Sequence, residues 1–183
     1  MTCGCDSSRA NRAAELALLR RIRVWLALFI AGLVLSGVTA FPLERELQFV
    51  NSLLGVAPQP AIAEPAPHTW LRRVYTGLAD TNRRYPFLAY GTDWLAFAHL
   101  VIAIAFIGPL RDPVRNLWVL HFGVIACAGV LPLALIAGPI RGIPLYWRLI
   151  DCSFGVFGAV PLLFCLRYTH RLEQMTQERT AGL

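Results

Sequence analysis

The chain has 183 residues, of which 56% are hydrophobic and only 15% charged, and its mean hydropathy is +0.54. That composition excludes an ordinary soluble domain, in which about 25% of residues would be charged. The net charge of +6 comes from seventeen arginines and no lysine; scattered between apolar runs, they form no nucleic-acid-binding face and fit anionic lipid headgroups instead.

Residues 1–23 make a basic leader carrying Arg9, Arg12, Arg20, Arg21 and Arg23, expected to be helical from about Asn11. Cys3 and Cys5 lie in it, but a Cys-x-Cys pair without partners cannot complete a four-thiolate zinc site, so they read as surface thiols. Residues 24–43 supply about twenty mostly apolar positions, enough for one crossing. Val38-Thr39-Ala40 has the small-residue character of a signal cleavage site, yet the leader is long for the basic region of a signal, and the segment reads as an uncleaved anchor.

Residues 44–91 form the extended extramembrane segment. Residues 44–56 have an apolar face through Leu47, Val50 and Leu54, the pattern of a short helix lying on the membrane. Pro58, Pro60, Pro65 and Pro67 break the chain, which predicts an extended linker over 57–68. A second amphipathic helix is expected over 69–84, with Trp70, Val74 and Leu78 on one side, and with Trp70 and Tyr75 at headgroup level.

Residues 92–166 hold three further crossings. The second span covers about 92–110 and contains His99. The proline-rich stretch 108–115 reads as a tight hairpin. The third covers about 116–138 and contains His121, Cys127 and Pro132; the proline is expected to kink it and free a carbonyl one turn earlier. A turn over 138–144 leads to the fourth span, about 145–166, with Arg148, Asp151, Cys152 and Cys165. Residues 167–183 form a polar tail. The fold class is therefore all-α, a polytopic membrane protein with four transmembrane helices.

Arginine placement sets the orientation. The leader, the 111–115 turn and the tail fall on one side and hold ten of the seventeen arginines, which by the positive-inside rule is the cytoplasm. Both termini are then cytoplasmic. Arg45, Arg72, Arg73, Arg83, Arg84, Arg141 and Arg148 are left outside, where they either snorkel to phosphates or hold an anionic ligand.

Two stretches echo one another, Pro86 with Asp93 and Pro144 with Asp151. If each helix starts at its proline, seven residues carry each carboxylate about 10 Å inward. A carboxylate inside hydrocarbon costs about 2.5–3.5 kcal/mol and ordinarily faces a partner or a wet cavity. Gly91-Thr92-Asp93 has a second reading, as a helix cap at the water interface.

Four chemistries fit parts of this pattern. A bis-histidine haem on His99 and His121 is disfavoured because the two would differ by more than about 10 Å in depth. A metal-dependent intramembrane enzyme would use Asp93, His99 and Asp151, although no metalloprotease motif is present. A pocket for an anionic amphiphile, a lipid headgroup or quinone-like molecule, would combine Arg141 and Arg148 with a wall of Tyr90, Trp94, Tyr146 and Trp147, Asp151 holding Arg148 in place. A structural subunit of a larger complex or homo-oligomer would use the small residues Gly123, Gly155, Gly158 and Ala159 for close helix contact.

Residues 85–167 resemble small uncharacterised bacterial inner-membrane proteins. The resemblance implies the four-span architecture and brings no activity or cofactor with it. The expectation is a non-catalytic inner-membrane component with an outward-facing polar pocket around Asp93, His99, Arg141, Arg148 and Asp151, and with His121 as a packed or hydrogen-bonded core residue.

Overall fold

The computed structural model describes residues 3–58 and 65–181, apart from the side chains of residues 3–8, 10 and 179–181. Six of the twelve residues in the expected linker over 57–68 and the thiols of Cys3 and Cys5 thus lie outside what is described. Every element among the described residues is helical. Four stretches are long and apolar enough to cross a membrane, namely Asn11–Ala40, Pro86–Arg111, Leu117–Ile140 and Leu145–Glu178. The protein is an all-α membrane protein with four transmembrane helices.

Helix α1 (Cys3–Ala40) merges the expected leader and first span, and α8 (Leu145–Ala181) merges the fourth span and the expected tail. At 38 and 37 residues they are each about 56 Å long, nearly twice the thickness of a hydrocarbon core. Neither a glycine nor a proline occurs between Leu162 and Ala181, so nothing stops α8 where the sequence turns polar. Pro161 sits inside it and removes one intrahelical hydrogen bond without ending the helix.

The chain divides into two compact units. The first comprises Met1–Gly32 and Ala103–Leu183. In it α6 (Leu117–Pro132) packs along α8, and the contact is close because glycines line it. A Cβ on Gly155 would meet the Cys127 carbonyl oxygen at 2.6 Å, and one on Gly123 would meet the rings and methyls of Phe106 and Leu162 at 2.6 and 2.7 Å. Helix α1 adds Ile22 and Leu26, both fully buried, beside Leu162 and Cys165 of α8. Trp25 stacks on Phe164 with ring centroids 5.3 Å apart, and the Cys165 thiol donates to the Ile22 carbonyl at 3.7 Å. Thr169, also fully buried, satisfies its hydroxyl on the Cys165 carbonyl at 2.8 Å.

Both expected hairpins are shorter than their prolines imply. The short helix α5 (Ile107–Arg111) contains Pro109, and the three-residue turn α7 (Gly138–Ile140) contains Pro139. Both prolines lie inside continuous helical stretches, Pro86–Arg111 and Leu117–Ile140, and each removes one backbone donor near the stretch's end without stopping the helix at that point. The turns contract to about 112–116 and 141–144, and Gly142 supplies the left-handed conformation of the second at φ +69°. Pro132 perturbs the third span as expected, and the form of the perturbation is specific. Residues Leu133–Ala137 make a π-helical turn, the local widening that accommodates a break in the i to i−4 ladder.

The second unit is Leu33–Ile102. The end of α1 meets α4 (Tyr90–Ala105) at Gly37, where an added Cβ would lie 2.9 Å from the Ala96 carbonyl oxygen. Helices α2 (Leu43–Leu53) and α3 (Ala66–Arg84) pack as an antiparallel pair, tied by Asn82 Nδ2 donating to Glu44 Oε2 at 2.8 Å. The pair agrees with the two amphipathic helices of the sequence, but on α2 the open apolar residues are Phe49 and Leu53, whereas Leu47 and Val50 are half-buried.

Candidate functional site

A cleft in the second unit forms where three helix ends meet. Helix α1 stops at Ala40, and Phe41-Pro42 redirects the chain so that α2 begins at Leu43. Glu44 and Glu46 fall in the first turn of α2, where the helix dipole favours a carboxylate. Helix α3 ends at Arg84, and Tyr85, at φ −137° and ψ 62°, leaves the helical region ahead of Pro86. Pro86–Ala89 then makes one 3₁₀ turn leading into α4.

These junctions enclose about 590 Å³, within the range of small-molecule sites. Phe41, Leu43, Leu78 and Ala89 give it apolar wall, and Glu44, Arg45, Gln48, Asn82 and Thr92 give it polar groups. Thr92 turns its hydroxyl to the Ala89 carbonyl at 2.6 Å. Asn82 spends its amide N–H on Glu44, while its Oδ1 is buried and accepts no hydrogen bond. A buried acceptor of that kind costs about 1–3 kcal/mol unless a donor reaches it. Arg45 is exposed and joins no salt bridge among the described residues, which leaves its guanidinium open to an anion. The cleft therefore offers one cation, one carboxylate and one unsatisfied acceptor above an apolar floor.

The residues expected to form the pocket are distributed over both units. In the second unit, Tyr90 and Trp94 meet edge to face at 5.9 Å, and Trp94 meets Phe97 likewise at 6.0 Å. Asp93 is half-buried in the first turn of α4, and His99 hydrogen-bonds the Leu95 carbonyl through Nδ1 at 2.8 Å beside Gly37. None of these four lines the cleft, although their neighbours Ala89 and Thr92 do. The cap reading of Thr92 is corrected, since the helical path starts at Pro86 and Thr92 lies inside it. The Pro–Asp echo is corrected too. Pro86 opens a 3₁₀ turn and Pro144 stands just outside α8, so the two seven-residue intervals are not the same two α-turns.

In the first unit, Arg141 is exposed in the 141–144 turn, and Tyr146 and Trp147 are half-buried in the first turn of α8. Arg148 does not pair with Asp151, contrary to expectation. Its stem lies across Gly138, filling the space where a Cβ would stand, and its Nε is buried without an acceptor. Asp151 is half-buried one turn further on. His121 is hydrogen-bonded as expected, its Nδ1 3.1 Å from the Leu117 carbonyl oxygen, but its ring is exposed and not part of the core. Among the described residues, no three or more His, Cys, Asp or Glu side chains gather as a metal-binding group.

Comparison with protein-family models, curated proteins and solved structures gave no match to this chain. What the site does must be read from its chemistry. Sequence reasoning weighed the carboxylates at depth, named Arg45 only among the outer arginines, and missed Glu44, Gln48 and Asn82. The available signal was the polar face Glu44, Arg45 and Gln48, set directly after a helix-breaking Pro42.

Proposed function

We propose that the protein is a non-catalytic component of the bacterial inner membrane, with both termini cytoplasmic, whose α1–α2–α3 junction cleft binds the polar head of an anionic amphiphile on the outer side. The observation that carries this is the pairing of an open Arg45 with the buried, unsatisfied Oδ1 of Asn82 in one cleft. A phosphate or other anion fits the guanidinium. A hydroxyl or ammonium on the same head group fits Asn82 Oδ1 and the Glu44 carboxylate beside it. Apolar wall from Phe41, Leu43 and Leu78 then meets the first carbons of the tail. Phospholipids carry this combination, and a quinone-like ring supplies only acceptors, which leave Asn82 unsatisfied. The arginine distribution supports the orientation.

Native mass spectrometry of the full chain, released gently from its own membrane, tests the reading. The expected result is an added mass that fragments as a phospholipid, present in the wild type and lost in R45A and in N82L. Equal occupancy in those variants, or a bare 20.3 kDa chain, overturns it. Reporter fusions after residues 58 and 181 check the orientation, and an outward report from residue 181 would reverse it.

A further inference from the structure

Away from the cleft, α6 and α8 bring two histidines together. The rings of His121 and His170 have centroids 6.4 Å apart with their planes at 60°. Both are exposed. They stand 49 positions apart in sequence, and the contact arises because α8 continues helically past Arg167, where a flexible tail would have left His170 unplaced.

The outward nitrogens of this pair are set up in the same way. His121 Nδ1 lies 3.1 Å from the Leu117 carbonyl oxygen. A carbonyl only accepts, so Nδ1 must carry the proton, which leaves Nε2 with a free lone pair. His170 Nδ1 lies 3.7 Å from Glu173 Oε2, slightly beyond hydrogen-bond length and within a small side-chain adjustment of it. A carboxylate or backbone carbonyl on Nδ1, with Nε2 left over, is the outer-shell arrangement that orients metal-binding imidazoles.

We propose that His121 and His170 form a two-imidazole site for a borderline divalent transition-metal ion, Zn²⁺ or Cu²⁺, bound through both Nε2 atoms with water completing the shell. Imidazole nitrogen binds zinc at about 2.0–2.1 Å, so two rings on a tetrahedral ion have centroids about 5 Å apart, and rings on opposite sides of it just over 6 Å. The observed 6.4 Å closes to the tetrahedral value by about 1 Å of side-chain movement in two exposed rings. Nitrogen donors suit zinc and copper, whereas calcium and magnesium need oxygen shells that one carboxylate cannot build.

Zn²⁺ titration calorimetry on the full chain in detergent tests the site, with Co²⁺ absorption as the second readout. The expected result is one Zn²⁺ per chain. E173Q keeps both ligands and weakens binding about tenfold, the usual effect of an outer-shell partner, and H121Q and H170Q each weaken it further. Zn²⁺ also raises the melting temperature of the wild type and leaves that of H121Q and H170Q unmoved, because only the wild type can tie α6 to α8. Both rings are exposed, so the metal-free variants melt with the wild type. Wild-type affinity in either histidine variant overturns the proposal, as does no Zn²⁺ binding by the wild type. Thiolate charge-transfer bands in the Co²⁺ form overturn it as well, since they would place the ion on a cysteine.

Discussion

Gly155→Ala is the sharpest test of the α6–α8 packing. The added methyl would stand 2.6 Å from the Cys127 carbonyl oxygen and 3.1 Å from Val130 Cβ. Comfortable carbon–oxygen contacts begin near 3.3 Å, so the helices must part by roughly 0.7 Å. The obstacle is backbone and cannot rotate away. Overpacking of this kind costs about 1–3 kcal/mol, and alanine in a helix interior returns about 0.5–1 kcal/mol relative to glycine. The net expectation is a loss of up to about 2.5 kcal/mol, near 1 kcal/mol at mid-range. Gly129→Ala is the control, because nothing lies within 4 Å of its added methyl and only the helix gain of about 0.5–1 kcal/mol remains. The two variants should therefore move the SDS-induced unfolding midpoint of the full chain in opposite directions. Coincident midpoints for G155A and wild type would refute the close-contact reasoning.

Gly142→Ala places a side chain at φ +69° and should cost about 1–2 kcal/mol, read as a lower midpoint in the same assay with unchanged helicity. Asp80 on α3 is held below its ordinary carboxylate value, chiefly by the hydrogen bond from Arg83 and also by the charge of Arg84. Its support for the last turn of α3 is therefore present above the ordinary unfolded value of 3.8 and is lost as pH falls through the lower folded value. The two arginines are exposed and Asp80 partly so, so the effect is small and disappears in high salt. Amide exchange at residues 81–84 should be slower in wild type than in D80N near neutral pH and equal in acid; equal rates at neutral pH would show that the ion pairs do no holding.

The four spans were legible because twenty apolar residues in a row have few other uses. Their ends were less so. Pro109 and Pro139 look like breakers, yet the helical stretches run past them to Arg111 and Ile140, because a proline removes one hydrogen bond without having to end a helix. Polarity after Leu166 marks the end of the span but not of the helix, since polarity ends burial while glycine, proline and caps are the usual helix stops. The cleft was hidden for another reason. Glu44 and Asn82 are 38 positions apart, and no periodicity in either helix reports where a third helix will begin. Arg148 and Asp151 have the right spacing for an ion pair, but the absence of a side chain at Gly138 gave the arginine stem a better place to lie.

The π-helical turn after Pro132 makes the third span tolerant of a change in length. A π turn carries one residue more than an α turn across the same stretch of ladder. Deleting one residue from Leu133–Ala137 would convert it to ordinary α-helix, leaving Val130 before it and Gly138 after it directed towards α8 as they are now. The same deletion elsewhere in α6 would swing everything beyond it by about 100°. Single-codon loss is thus survivable in this span at one address, and that address is written by a proline.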